Sequence, residues 1–100
     1  MYYIGIDLGT SSVKGILADS SGNVLRETSE EYPVYYPKDG WSEQNPEDWL
    51  AAAKKIIERL SDGLTDKIGG LSFGGQMHGL VLLDENDNVI RPCILWNDGR

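Results

Sequence analysis

The chain has one cysteine, one histidine and one phenylalanine in 100 residues, and no surplus of positive charge. The lone Cys93 leaves no internal disulfide, which fits a reducing compartment. With 9 Lys and Arg against 16 Asp and Glu, the formal net charge is -7. A surface of that sign repels nucleic acid and anionic lipid. No stretch approaches the roughly 20 apolar residues that a membrane span requires. The opening MYYIGIDLGTSS has no basic leader and carries Asp7 inside its apolar run, so it does not read as a signal peptide. A Walker loop, G-x-x-x-x-G-K-[ST], is absent as well. These absences lead to the expectation of a soluble, cytoplasmic domain with no nucleic-acid or membrane partner.

What is present is ordinary in bulk: 40% apolar and 25% charged residues, enough for one small domain with a real core. The end of the chain, ILWNDGR, places an apolar run directly before a charged, turn-like cluster and suggests a truncated chain.

Tyr2 to Leu8 is a nearly continuous apolar run, expected as a strand buried on both faces. Residues 9–12 signal a turn, 13–18 a returning strand, and 24–32 a polar outer strand after a second turn. The spacing predicts a helix from Pro46. Asn45 is a good N-cap, and Glu47 and Asp48 suit the positive end of the dipole. Trp49, Ala52, Ala53, Ile56, Ile57 and Leu60 form one apolar face, and Gly63 marks the stop. Strands are expected at 68–73, 80–83, 89–90 and 94–96, with a polar hairpin tip at 84–88. Three antiparallel strands, a helix, then more strands make an α/β chain with a mixed sheet and packed helices.

Two stretches carry chemistry. In IDLGTSSVKG, Asp7 ends a strand and is followed by Gly9, the hydroxyls of Thr10, Ser11 and Ser12, and Lys14. A glycine lets the main chain approach a ligand, successive N–H groups form an anion-binding concavity, and a lysine adds a point charge. Asp7 would then meet phosphate through Mg2+, since two anions in direct contact repel. The plain alternative is a Gly-Thr-Ser hairpin with Asp7 as a buried, hydrogen-bonded carboxylate. In GGQMHG, the only histidine, His78, stands beside Gln76 and Met77 after two glycines. Directional polar groups beside an apolar wall suit a polyol or ketose. A capped or core-lining His78 is the alternative, and Trp96, an isolated aromatic after Ile94 and Leu95, reads as core. Asp84, Asn86 and Asn88 imitate a calcium loop, but Val89 and Leu95 stand where glycine and glutamate are required. Cys93 reads as a small packing residue.

IDLGTSSVKGILAD resembles the first phosphate motif of the sugar kinase, heat-shock ATPase and actin superfamily. WSEQNPEDW at 41–49, GGQMHG at 74–79 and ILWNDGR at 94–100 narrow the resemblance to the FGGY carbohydrate kinases, in order along the whole chain. Within that family the likeness is to the branch that phosphorylates D-xylulose at its 5-hydroxyl.

The resemblance implies a ribonuclease-H-like fold, with residues 1–100 as an incomplete N-terminal part of the first kinase domain. It also implies ATP and Mg2+ as cofactors, a sugar as the partner, and leaves a homodimer open for the parent. On this reading Asp7 works through the metal, Gly9, Thr10, Ser11, Ser12 and Lys14 hold phosphate, and Met77 and His78, with Gln76 and Trp96, contact the sugar. Trp41, Glu43 and Gln44 would be structural, and Asp98 and Arg100 would brace the site. The family's catalytic aspartate, second phosphate motif and adenine pocket have no counterpart here, so residues 1–100 alone are expected to be inactive. A ribonuclease-H-like nuclease and a non-catalytic sugar-binding module are the other readings. The nuclease would need further carboxylates near Asp7 and a basic face.

Overall fold

The computed structural model describes all of residues 1–100 and opens with three strands, β1 (Tyr2–Leu8), β2 (Ser12–Asp19) and β3 (Val24–Glu31). They pair antiparallel, Leu8 against Val13 and Ser12 against Glu31. The β2–β3 turn forms because the Asp19 carboxylate accepts from the N–H groups of Ser21 and Asn23, both at 2.9 Å. Gly22 supplies the positive φ of +86° that this turn needs.

After a looped segment comes the short β4 (Glu43–Gln44), then α1 (Pro46–Ser61). The helix starts where its capping chemistry places it. The Asn45 side chain accepts from the Glu47 N–H at 3.1 Å, and Pro46 occupies the first turn. Its other end is closed by a neighbour: Arg26 on β3 donates to the Leu60 and Asp62 carbonyls at 3.1 and 2.8 Å. A turn of 3-10 helix at Thr65–Lys67 leads into β5 (Ile68–Gly75), and β6 (Cys93–Ile94) closes the list of strands.

The main sheet has the order β3-β2-β1-β5, with β5 parallel to β1. The helix lies across one face, burying Ala52, Ile56 and Leu60 against Ile4, Ile6, Val13, Leu17 and Tyr32. Each fully buried Ile or Leu contributes roughly 1.5–3 kcal/mol. Gly15 lets the helix sit this close: a Cβ there would stand 2.6 Å from Ile56 and 2.9 Å from Leu60.

Two expectations are corrected. β1 is buried on one face only. Ile4 and Ile6 meet the helix, whereas Tyr3 and Asp7 on the opposite face are exposed, because the only long helix covers a single side. The C-terminal segment also adds no strand to the main sheet. β6 pairs with β4 in a separate two-stranded sheet, ending at Ile94 and not at Trp96: Leu95 still donates to the Ser42 carbonyl, but the Ser42 N–H goes to the Asp98 carboxylate instead of back to Leu95. Residues 80–83 and 89–90 hold only the isolated bridges Leu80–Ile94 and Leu83–Val89. Their hairpin tip is as expected in kind: the Asp84 carboxylate accepts from the N–H groups of Asn86 and Asn88, which lowers its pKa and commits it to the turn. No helix is long and apolar enough to cross a membrane.

Candidate functional site

Because β1 and β5 are parallel neighbours, with Leu8 beside Gly75, the bends that follow them leave from the same end of the sheet. The first bend, residues 9–12, is held from both sides. The Gly9 N–H donates to the Ser12 carbonyl at 2.9 Å, and the Tyr32 hydroxyl faces the carbonyls of Gly9 and Ser12, the latter at 3.0 Å. Tyr32 is buried, and burial followed by the negative charge of Asp7 pushes its pKa up to about 12. The hydroxyl therefore keeps its proton to donate.

Gly9 differs from expectation in how it serves the bend. Its φ is not positive; glycine spares the bend a tight contact, since a Cβ there would stand 3.0 Å from the Ser12 carbonyl. Its N–H is spent internally. The N–H groups of Thr10 and Ser11 enter no hydrogen bond, and with the hydroxyls of Thr10, Ser11 and Ser12, none of which donates within the molecule, they are the bend's free donors.

Asp7 and Lys14 stand directly opposite each other across β1 and β2, on the face away from the helix. Both are exposed, and neither joins any ion pair or side-chain hydrogen bond of the molecule. The alternative of a buried, bonded Asp7 therefore fails.

The second bend starts later than its glycines suggest. Gly74 and Gly75 are still extended strand, and Gly75 admits a close approach, since a Cβ would lie 3.2 Å from that of Leu8. The turn itself falls at His78, whose φ is +59°. Histidine is among the non-glycine residues that tolerate this region. His78 is exposed and lines a cavity of about 200 Å3 with Leu8, Trp49, Gly75, Gln76, Gly79 and Val81. Met77 is 71% exposed and is not one of the residues lining it. A core-lining His78 is excluded, and so is a core Trp96, which is 56% exposed with its indole N–H 3.4 Å from the Thr10 hydroxyl. Trp96 thus stands by the first bend. The cavity lies on the helix side of the strand ends, so Asp7 and His78 flank that end from opposite sides.

Gln76 does not present its amide as expected. Its N–H2 donates inward to the Gln44 side-chain oxygen at 2.9 Å, while its own oxygen is buried without a partner. Gln44, read from the sequence as structural, is the residue that joins the two bends. It is fully buried, donates to the carbonyls of Thr10 and Pro33, and accepts from the Trp49 indole N–H at 3.1 Å as well as from Gln76. Tyr32, the other residue missed, carried no sequence signal beyond being the one aromatic at the end of a polar strand.

A charged cluster fixes the C-terminal segment. Asp98 pairs with Arg100 at 2.6 Å and accepts from the Ser42 N–H at 2.7 Å; Glu43 pairs with Arg91 and Arg100. The Arg100 guanidinium lies 3.6 Å over the Trp41 ring. Hydrogen bonds from Arg100 hold the Asp98 carboxyl well below the usual carboxylate range. Burial pushes the pKa of the Cys93 thiol up, in keeping with a packing role.

Comparison with known proteins fits this geometry. The model of the FGGY family of carbohydrate kinases, N-terminal domain, matches residues 2–100. The chain is 50% identical to a xylulose kinase of Lactococcus lactis and 52% identical to one of Bacillus subtilis, over 99% of its own length in each case. It spans 20% of the length of each of these relatives. It also superposes on the crystal structure of a xyloylose kinase from Brucella ovis with a TM-score of 0.93 and 46% identity, covering all of this chain and 22% of the other. The mixed sheet is therefore that of the sugar kinases with an actin- and hexokinase-like fold. The chain belongs to the FGGY family of carbohydrate kinases.

Proposed function

We propose that this chain is the N-terminal part of the first domain of an ATP-dependent kinase that converts D-xylulose to D-xylulose 5-phosphate. The observation that carries the reading is the shared exit of the two bends at the carboxyl ends of parallel β1 and β5. That is where ligands of open α/β sheets gather. Identity near 50% with xylulose kinases supports D-xylulose as the acceptor.

In this reading the free N–H groups of Thr10 and Ser11, the hydroxyls of Thr10, Ser11 and Ser12, and Lys14 hold the phosphates of ATP. His78 and Met77 place the sugar at the cavity, and Trp96 contacts it from beside the first bend. Gly9 shapes the first bend, and Gln76 supports the second from behind. Charge-assisted hydrogen bonds of this kind contribute roughly 1.5–3 kcal/mol each. Phosphoryl transfer needs mainly positioning and charge stabilisation, which such a layout supplies.

Asp7 would hold Mg2+ through water. Its carboxylate is exposed and joins no ion pair or side-chain hydrogen bond. That suits an ion that keeps most of its waters and takes phosphate oxygens. When bound, the ion offsets charge on the β- and γ-phosphates.

The test is a coupled assay of the intact kinase against ketoses, polyols and sugar acids with ATP. The expected result is the highest kcat/KM for D-xylulose. Preference for another sugar would reassign the acceptor, and no ATP-dependent turnover on any sugar would overturn the kinase reading. Residues 1–100 alone should show none.

A further inference from the structure

Gln44 makes four hydrogen bonds from a position with no solvent exposure, and they run to four separate parts of the chain. Its orientation is fixed by chemistry: only the amide N–H2 can face the carbonyls of Thr10 and Pro33, and only the oxygen can accept from the Trp49 indole. No other side chain hydrogen-bonds to both bends. Thr10 belongs to the first, and Gln76 opens the second.

We propose that Gln44 is a positioning residue that fixes the phosphate-side bend at residues 9–12 and the sugar-side bend at residues 76–79 in one mutual placement. The inference rests on the kinase reading and deepens it. In-line transfer requires donor and acceptor to be placed together, so a residue tying both bends acts on both substrates without touching either. Gln76 is its sugar-side contact only. The buried amide is also irreplaceable in kind: a carboxylate cannot donate to Thr10, and an aliphatic side chain would strand the Trp49 N–H and two carbonyls.

The experiment compares Gln44→Leu, Gln76→Leu and the double variant in the intact kinase, with steady-state kinetics for both substrates. Gln44→Leu is expected to lower kcat by roughly 10- to 100-fold and to raise KM for both ATP and the sugar. Gln76→Leu should raise KM for the sugar and leave KM for ATP near the wild-type value. The double variant should be no worse than Gln44→Leu, because one link is broken in both. A Gln44→Leu enzyme that loses only melting temperature, or that changes one KM alone, overturns the proposal.

Hydrogen–deuterium exchange on the same proteins reads the link independently of turnover. Exchange should rise at residues 9–12 and 76–79 together in Gln44→Leu, and a rise at one bend only contradicts the link. If the wild-type protein phosphorylates no sugar, the kinase reading fails by itself, and exchange still decides whether Gln44 joins the bends.

Discussion

At the scale of single residues, the phosphate-side bend depends on a hydroxyl that carries one proton and faces two carbonyls. Tyr32→Phe removes that brace. It should cost about 1 kcal/mol in denaturant unfolding of the intact protein and raise KM for ATP more than KM for the sugar. Unchanged stability would mean that the hydroxyl is idle. Asp98 gives a second test. Its folded pKa is depressed by Arg100 and by the Ser42 N–H. Its stabilisation is therefore complete above the unfolded carboxylate value of about 3.9 and drains away as pH falls below it. Asp98→Asn should flatten the acid limb of a stability-against-pH curve while leaving a lower plateau at neutral pH. Such residues differ in how far the sequence revealed them. Asp7, Lys14 and His78 stood out because each is a lone chemical type in a short motif. Gln44 could not, since its partners Thr10 and Gln76 lie 34 and 32 positions away, and only the folded chain makes them neighbours.

At the scale of elements, local chemistry was readable wherever a segment determines itself. Asn45, Pro46 and the apolar spacing from Trp49 to Leu60 specify the helix, and the observed cap and buried face agree with them. The Asp19 and Asp84 turns are equally local. The segment after β5 was misread as strands because its apolar residues, 80–83 and 89–90, follow a β-like pattern but pair only through single bridges, Leu80 with Ile94 and Leu83 with Val89. Gly15 marks where the elements meet. Gly15→Ala puts a methyl into space held by Ile56 and Leu60, so the helix must shift. The expected loss is about 1–3 kcal/mol, measured by thermal unfolding of the intact protein. The same substitution at Gly22 meets no neighbour but is strained by its φ of +86°. Tolerance of Gly15→Ala would place the helix farther from β2.

At the scale of the whole molecule, residues 1–100 are extended: the radius of gyration is 15.5 Å, against about 13 Å for a compact chain of this length. Both faces of the sheet keep apolar residues in water. Tyr3 and Ile16 lie on the face away from the helix, and Leu71 and Phe73, beside Ile4 and Ile6, extend past the helix on the other. Expressed alone, residues 1–100 are expected to self-associate in sedimentation analysis; a well-behaved monomer at high concentration would show that these faces need no cover. The central claim is that two neighbouring bends at one end of the sheet serve the two substrates. The most direct measurement is a crystal structure of the intact kinase with ADP and D-xylulose bound. Phosphate oxygens at the Thr10 and Ser11 amides, with the sugar against His78, are the predicted result; either ligand bound away from its bend would contradict the account.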